Sequence, residues 1–131
     1  MNNIQVVQKV YECFGRGDIP GILELLADDV VFDDNAAFWI DGQPKLVPFS
    51  GRVEGKNNIP GFFQKMQETT EIKKFEPKKF FENGNDVIAL CNLAGRFKTD
   101  GTEGENVWVM LWNIENGKVK NLHVTTMPGT V

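Results

Sequence analysis

The sequence predicts an α+β domain in which a curved antiparallel sheet is wrapped by three N-terminal helices. Apolar residues recur at helical spacing in three segments between residues 3 and 70. After residue 70, apolar and polar residues alternate in long runs separated by Asx-Gly pairs, the strongest short-range signal for a β-hairpin. Helices followed by such a meander of strands indicate a sheet folded onto helices.

The first two helices are each predicted from one apolar stripe. Asn2 and Gln5 fit a capping box at the start of the first helix. Asp18 is expected to cap the second helix, which Asp28-Asp29 is expected to close before a β-branched strand begins at Val30. The stripe of the first helix consists of Ile4, Val7, Val10, Tyr11 and Phe14, and that of the second of Ile22, Leu25 and Leu26.

Residues 33–55 show no regular period, which indicates a loop or short strands. A third helix follows, capped by Asn57 or Asn58, with an apolar stripe of Ile59, Phe62, Phe63 and Met66. Strands are then predicted at residues 72–82, 87–98, 105–114 and 118–126. Pro77 places the first of these at a sheet edge or a bulge. Without a linker or repeat, the chain is expected to form one domain, residues 1–131.

Composition restricts the classes of function. With 41% hydrophobic and 24% charged residues among 131, the chain can form a core without disulfides or metal. Ten Phe and three Trp against one Tyr suit a core that lines a cavity, or equally a core that is rich in Phe. The net charge of −4, with basic clusters no longer than Lys73-Lys74 and Lys78-Lys79, argues against binding to nucleic acid.

The cysteines, the single histidine and the length of the apolar runs argue against disulfide-stabilised, metal-binding and membrane-spanning proteins. Cys13 and Cys91 lie far apart among apolar residues, as buried thiols in a reducing compartment typically do. A single His without metal-ligand spacing predicts no metal site, and we expect no cofactor. The N-terminus lacks the apolar stretch of a signal peptide, and no apolar run is long enough to span a membrane. We therefore expect a cytoplasmic protein without membrane or nucleic-acid partners.

Several strings along the chain carry a family resemblance. They are residues 7–18 (VQKVYECFGRGD) with 22–31 (ILELLADDVV), 48–51 (PFSG) with Gly55 and Phe62-Phe63, 105–109 (ENVWV) and 117–119 (GKV). Together they resemble the SnoaL-like and ketosteroid-isomerase-related branch of the nuclear-transport-factor-2-like (NTF2-like) superfamily. The resemblance implies a cone-shaped, cystatin-like fold with a deep apolar pocket, and commonly a dimer formed through the outer face of the sheet. Members include isomerases, cyclases, hydrolases and docking modules, so the fold does not select the function.

The resemblance to ketosteroid isomerase can be carried over residue by residue. That enzyme uses one Asp as a base, with a Tyr and a protonated Asp as hydrogen-bond donors. Aligned on the strings before and after the second helix, the base position falls on Asp34 and the Tyr position on Val10, one residue before Tyr11. Aligned on the Asn116-Gly117 hairpin, the second acid falls on Met110. The resemblance therefore implies a base at Asp34 without that isomerase's oxyanion hole.

The Asn116-Gly117 turn predicts where the only histidine lies. A two-residue turn pairs Glu115 with Lys118 and thereby places Met110 opposite His123. Opposed residues project from the same face of a sheet, so His123 is expected inside an aromatic-lined cavity. The same face would carry Asn106, Trp108, Trp112, Asn121 and Thr125. A two-residue turn at Asp100-Gly101 would add Cys91, Leu93 and Gly95, and a longer turn would shift that register.

Asp34 and His123 are the candidate catalytic residues. Apolar walls raise the pKa of a carboxyl group and keep an imidazole neutral, which suits general acid–base work on a hydrophobic ketone, enol or epoxide-like substrate. Each residue also has a structural interpretation. Asp34 could be a solvated residue after a strand, and His123 a hydrogen-bonded structural or ligand-orienting group.

We expect the chain to bind a small hydrophobic molecule, with cofactor-free isomerisation, cyclisation, hydration or hydrolysis as the enzymatic interpretation. The alternative is a non-catalytic ligand-binding or dimerisation module, and a protein-docking domain is a third. A homodimer is expected because residues 105–114 are apolar on both faces of their strand. The candidate substrate-binding residues are Val10, Phe14, Trp39, Phe63, Met66, Asn106, Trp108, Met110, Trp112, Asn121 and Thr125.

Overall fold

The computed structural model describes residues 1–131, which form three α-helices, one turn of 3₁₀-helix and eight β-strands. The helices are α1 (Asn3–Gly15), α2 (Ile19–Glu24) and α3 (Ile59–Thr69), and the 3₁₀ turn is Lys56–Asn58. The strands are β1 (Leu26–Asp34), β2 (Ala37–Ile40), β3 (Gln43–Leu46), β4 (Gly51–Glu54), β5 (Thr70–Asn83), β6 (Asp86–Phe97), β7 (Glu103–Glu115) and β8 (Lys118–Met127).

The helix starts follow from local chemistry. The Asn2 side chain accepts a hydrogen bond from the Gln5 backbone N–H, and the Gln5 side chain accepts one from the Asn2 N–H, which confirms the predicted capping box. Asp18 caps α2 by accepting from the Gly21 N–H at 2.9 Å. Asn58 precedes α3 without a side-chain capping bond, and a proline occupies the first turn of that helix.

The predicted end of α2 is wrong. The helix stops at Glu24, and Asp28 and Asp29 lie in β1. Leu26 already pairs with Val119 of β8, and the Asp29 carboxylate accepts a hydrogen bond from Lys120 Nζ at 2.7 Å. Pairing with a strand that is remote in sequence sets this boundary, so local charge did not reveal it.

The large sheet has six strands in the order β4-β1-β8-β7-β6-β5. The β1–β8 pair is parallel and every other pair is antiparallel, which confirms the predicted α+β class with a mainly antiparallel sheet. β5 is an edge strand with a register shift just after Pro77, as the proline indicated. The irregular region at residues 33–55 forms short strands, with β2 and β3 paired as a separate hairpin.

The β7–β8 hairpin has the predicted turn but not the predicted register. Asn116 and Gly117 both have positive φ, as a two-residue turn requires, and Glu115 pairs with Lys118. Lys120 is then left unpaired in a β-bulge, because Ile114 pairs with Val119 but Asn113 pairs with Asn121.

One extra residue reverses the faces of all later β8 side chains. Met110 therefore lies opposite Val124, and His123 lies opposite Leu111. The predicted placement of His123 across from Met110 is wrong. The face of the sheet that carries Met110 and Val124 and packs against the helices is called the inner face below, and the opposite face is called the outer face.

In the β6–β7 hairpin, the strand pairing differs from the predicted register by two residues, and the side chains keep their predicted faces. The turn of the hairpin is longer than two residues, so Cys91 pairs with Trp108 and not with Met110. Because side chains alternate with a period of two, an even shift keeps Cys91, Leu93 and Gly95 on the inner face as predicted.

The core lies between the helices and the inner face of the sheet. It is one cluster of 26 buried residues to which every helix and most strands contribute. None of the helices combines the length and the apolar character needed to cross a membrane.

Candidate functional site

A cavity of about 60 Å³ lies inside the core, between α1, α3 and the inner face of the sheet. Of its 18 lining residues, 17 are hydrophobic, and Asp34 is the exception. Its walls therefore offer contact to an apolar body and one ionisable carboxyl group. The lining residues are Val10, Tyr11, Phe14, Ile22, Phe32, Asp34, Phe49, Phe62, Phe63, Met66, Ile72, Phe75, Leu93, Trp108, Met110, Trp112, Leu122 and Val124.

Regular periodicity places most of these side chains. Val10 and Phe14 are one helical turn apart on α1, and Phe62 and Met66 are one turn apart on α3, so each helix turns one edge to the cavity. Alternate residues of β7 (Trp108, Met110 and Trp112) form the facing wall. Edge-to-face packing among neighbouring aromatic rings fixes the walls, as between Phe32 and Phe62 at 5.5 Å.

Asp34 ends β1 with its side chain on the inner face. Only 3% of the residue is exposed, and its Oδ1 accepts a hydrogen bond from the Ala36 N–H at 2.8 Å. Burial raises the pKa of the Asp34 carboxyl to about 6, the Ala36 hydrogen bond partly opposes that effect, and the nearby charge of Asp33 adds to it. The predicted desolvation of this carboxyl is thus present, and the interpretation of Asp34 as a solvated residue after a strand is wrong.

Tyr11 lines the cavity but is not among the candidate site residues predicted from the sequence. Its hydroxyl accepts a hydrogen bond from Trp112 Nε1 at 2.9 Å, and it lies 3.2 Å from Met110 Sδ, to which it donates. Burial raises its pKa well above the ordinary value. Tyr11 belongs to the apolar stripe of α1, whereas the resemblance to ketosteroid isomerase implied Val10 at the Tyr position, and both side chains line the cavity.

Seven of the predicted substrate-binding residues line the cavity. They are Val10, Phe14, Phe63, Met66, Trp108, Met110 and Trp112. Val10 and Met110, the two positions that correspond to donors of ketosteroid isomerase, thus bring only apolar groups to the cavity. The donors of that isomerase are not reproduced at these positions.

Four other predicted substrate-binding residues, and His123, lie outside the cavity. The Asn106 amide is fully buried, but it donates to Ala37 O and accepts from Trp39 N, so it ties β7 to β2. Trp39 is half-buried in β2 beyond the cavity wall. Asn121, His123 and Thr125 project from the outer face, because the bulge at Lys120 reverses their direction.

His123 belongs to a small charged group on the outer face. Its Nδ1 lies 3.8 Å from Asp33 Oδ2, and that oxygen also lies 3.9 Å from an Arg52 guanidinium nitrogen. The His123 side chain is 52% exposed. The structure therefore does not bring His123 and Asp34 together as an acid–base pair.

Two open grooves flank the cavity on the outside of the protein. One, of about 850 Å³, runs between α1 and β5, and the other, of about 550 Å³, runs between α2, α3 and β5. Phe14 and Ile72 line the cavity and both grooves. These two side chains therefore lie between the cavity and both grooves, while Tyr11 and Phe75 adjoin only the first groove and Phe63 and Met66 only the second.

The residues around the cavity suit proton transfer better than metal binding or nucleophilic attack by a thiol. No three His, Cys, Asp or Glu side chains lie together in a way that could hold a metal ion. Cys91 is buried, which raises the pKa of its thiol to about 11, so it is a poor nucleophile at neutral pH. Proton transfer by Asp34 is the chemistry that the cavity walls can supply.

Comparison with known proteins agrees with this architecture. Residues 7–122 match the family model of the SnoaL-like domain. An NTF2-like protein from Burkholderia xenovorans LB400 is 26% identical, with a TM-score of 0.80 over 95% of this chain and 88% of that one. A candidate SnoaL-like polyketide cyclase from Mesorhizobium loti is 20% identical, with a TM-score of 0.72 over 95% of this chain and 98% of its own.

A further structure, TerC co-crystallised with polyporic acid, is 21% identical with a TM-score of 0.74 over 95% of this chain and 91% of TerC. No curated protein matches the chain in sequence. The family match covers most of the chain, and the structural neighbours share its fold. The chain therefore belongs to the SnoaL-like domain family and has the NTF2-like fold.

Proposed function

We propose that this SnoaL-like protein binds a small, mainly apolar molecule in the cavity, and that Asp34 acts on it as a general acid or base. The observation that carries the proposal is a carboxyl group in an otherwise apolar wall, with its pKa raised to about 6. A carboxyl of that pKa is mostly ionised at neutral pH and is a stronger base than an exposed aspartate.

The reaction class follows from a single positioned base in an apolar wall. Proton abstraction next to a carbonyl group, followed by isomerisation or ring closure, requires such a base and an apolar surface that holds the substrate. The structural neighbours support this class, because one is named as a candidate polyketide cyclase and another was crystallised with polyporic acid. His123, which the sequence predicted as the partner of Asp34, has no part in this reaction because it lies on the outer face.

The size of the cavity requires movement before a ring can enter. Its volume of about 60 Å³ is well below the roughly 150 Å³ of an engineered cavity that holds benzene. Phe14 and Ile72 are half-buried and are the two side chains that line the cavity and both grooves. Displacing these two side chains would join the cavity to a groove and bring the volume into the usual range for ligand sites, roughly 300–1,000 Å³.

Exchange of carbon-bound protons tests the role of Asp34. Cyclopentanone in D₂O exchanges the protons next to its carbonyl group when a base removes them, and NMR follows the loss of their signal. We expect the protein to accelerate this exchange, with a rate that rises as the pH passes about 6 and is level above it, because the carboxylate is the active form.

Two variants give the exchange experiment its control. Asp34→Asn should reduce the protein-dependent rate by about a hundredfold or more. Asp33→Asn should lower the rate only slightly, because Asp33 lies on the outer face beside Arg52 and its charge is the smallest of the contributions to the Asp34 pKa. Exchange at the buffer rate with the unmodified protein, or equal loss in both variants, would contradict the proposal.

A second candidate function, dimerisation, rests on the outer face of the sheet. Val109 and Leu111 of β7 and Leu90 of β6 are half-buried there, Ile88 is 39% exposed, and Phe81 of β5 is 55% exposed. We propose that a second copy of the chain covers this apolar surface. Sedimentation should show a dimer at micromolar concentration and a monomer for Leu111→Asp. A monomeric unmodified protein would contradict it.

A further inference from the structure

Residues 128–131, called the strap below, follow β8 and fold back onto the outer face of the sheet. The Asn92 side chain of β6 binds both main-chain groups of Val131. Its Oδ1 accepts a hydrogen bond from the Val131 N–H at 2.7 Å, and its Nδ2 donates one to the Val131 carbonyl oxygen at 3.3 Å. Asn92 is only 4% exposed, and Gly129 provides the turn with a φ of 90°. The strap is therefore held to the sheet at one defined point.

The strap crosses the sheet at the level of Val107. Met127, at the end of β8, pairs with Val107 of β7, which in turn pairs with Asn92. These three residues form one row on the outer face, and the strap runs from one end of the row to the other. Val107 is 2% exposed, whereas Val109, two residues along on the same strand and face, is only half-buried. The path of the strap over Val107 accounts for this difference.

The end of the outer face that the strap covers adjoins the apolar surface proposed above as the dimer contact. Leu90 and Val109 of that surface lie two residues from Asn92 and Val107 on the same two strands. In the opposite direction along these strands the face ends in polar residues, which are Asp86, Asn113 and Glu115. The apolar surface therefore continues towards the strap and not away from it.

The part of this surface outside the strap is small for a stable dimer. Its half-buried or exposed apolar residues are Phe81, Ile88, Leu90, Val109 and Leu111. Side chains on one face repeat every ~7 Å along a strand and strands lie ~4.8 Å apart, so these residues occupy roughly 170 Å² of sheet. Each partner of a stable dimer buries about 800 Å². Side-chain relief enlarges the first area without closing that gap, so a second copy must extend over the end that the strap covers.

We infer that the strap and a second copy of the chain compete for this end of the outer face, so that a docked strap opposes dimer formation and its release admits the second copy. Two sheets packed face to face lie about 10 Å apart, and a segment lying on one of them occupies that space. The strap can leave readily, because its residues are exposed and the two bonds to Asn92 are its only hydrogen bonds to the rest of the protein. This inference rests on the second candidate function, dimerisation, and is independent of the chemistry proposed for Asp34.

Sedimentation of two full-chain variants tests the competition. Gly129→Ala leaves the sheet face unaltered but strains the docked strap, because a side chain disfavours positive φ. Its dimer dissociation constant should be about fivefold lower than that of the unmodified protein. Asn92→Ser removes both bonds to Val131 and should lower that constant about tenfold.

Each variant has a matched control. Gly61→Ala, on α3, adds a methyl group that meets no atom within 4 Å, and Gly61 has no positive φ. Asn121→Ser makes the same exchange as Asn92→Ser on the outer face, but Asn121 makes no side-chain hydrogen bond to the strap. Both controls should leave the dimer dissociation constant within about twofold of the unmodified value.

The mobility of Val131 gives a second readout in the unmodified protein. Its backbone ¹⁵N order parameter should fall below about 0.6, the range of flexible segments, as the protein concentration rises and the dimer forms. In Leu111→Asp, which should stay monomeric, the order parameter should not depend on concentration. This measurement needs no change to the strap or to Asn92, so it decides the question if Asn92→Ser does not fold.

The outcomes separate the inference from dimerisation itself. A dimer of the unmodified protein that is no tighter in Gly129→Ala, or in which Val131 stays ordered, overturns the inference and leaves the second candidate function standing. Monomers in the unmodified protein and in both variants overturn the two together. A monomeric unmodified protein with dimeric variants supports the competition, because the docked strap then prevents the dimer.

Discussion

Asp33 and Asp34 are adjacent in β1, yet they lie in opposite environments. Asp34 projects from the inner face, is 3% exposed, and has a pKa raised to about 6 by burial. Asp33 projects from the outer face, where an Arg52 guanidinium nitrogen lies within 3.9 Å and His123 Nδ1 within 3.8 Å. The two faces of one sheet thus give the same side chain two different chemistries.

The same difference between the inner and outer faces is found along β7. Trp108, Met110 and Trp112 enclose the cavity on the inner face, while Val109 and Leu111 form part of the half-buried outer surface. Inner residues are fixed by aromatic packing within the chain. The contribution of the outer residues depends on what covers them, so paired substitutions across the sheet can test the difference.

The largest expected effect comes from truncating neighbouring residues on the two faces of β7. Trp112→Ala should lower the free energy of unfolding by about 3–5 kcal/mol, because it removes a fully buried ring and the hydrogen bond to Tyr11. In the monomer, Leu111→Ala on the outer face should cost only about 1 kcal/mol, because the side chain is half-buried there. Urea denaturation followed by circular dichroism measures both values, and equal losses would mean that the outer face is as well covered as the inner one.

The two aspartates should differ in how they link stability to pH. Asp34 binds its proton more tightly when folded, so its ionisation costs stability as the pH rises from about 4 to above 6, by about 3 kcal/mol in total. Asp34→Asn lacks this cost. Its free energy of unfolding relative to the unmodified protein should therefore rise by about that amount between pH 3.5 and pH 7.5.

Asp33→Asn is the control for this measurement, because it alters the neighbouring carboxyl on the outer face. It should show no comparable gain over the same pH range. A pH-independent difference between Asp34→Asn and the unmodified protein in urea denaturation would mean that the Asp34 carboxyl is not desolvated in solution.

A smaller effect is expected at the Tyr11 hydroxyl. Tyr11→Phe leaves the buried Trp112 Nε1–H without its acceptor and should cost about 1–2 kcal/mol of unfolding free energy. A double-mutant cycle with Trp112→Phe should give a coupling energy of about 1 kcal/mol. A coupling near zero would show that the hydrogen bond contributes no net stability.

The smallest effect is expected at His123. His123→Ala should change the free energy of unfolding by less than about 0.5 kcal/mol, because its contact with Asp33 is exposed. It should also leave cyclopentanone affinity unchanged, since the side chain lies outside the cavity. A large loss of cyclopentanone affinity in an NMR titration would mean that His123 contacts the ligand, and it would contradict the register found for β8.

Much of the architecture could be predicted because it follows from short-range chemistry. The capping box at Asn2 and Gln5, the Asn116-Gly117 turn and the edge position of Pro77 each depend on a few adjacent residues. The helical stripes likewise placed Val10, Phe14, Phe63 and Met66 at the cavity, because a helix fixes its buried face by its own period.

The site was predicted less well because its geometry depends on strand register. The first three apolar residues of β8 are Val119, Leu122 and Val124, and the step of three between the first two breaks the period of two that a regular strand would show. That step was the available signal of a bulge at Lys120. A single unpaired residue then decided that Leu122 and Val124, and not Asn121, His123 and Thr125, face the cavity.

By itself, the sequence determined the fold class, the family and the aromatic character of the interior, because periodicity and turn chemistry are local properties that survive without knowledge of distant partners. Only the tertiary structure decided the end of α2, the burial of Asp34, the exclusion of His123 and the hydrogen bonds between Asn92 and Val131. Each of these depends on contacts between residues that are far apart in the chain. Desolvation and hydrogen-bond pairing arise from those contacts, so the chemistry of the site appears only when the chain is folded.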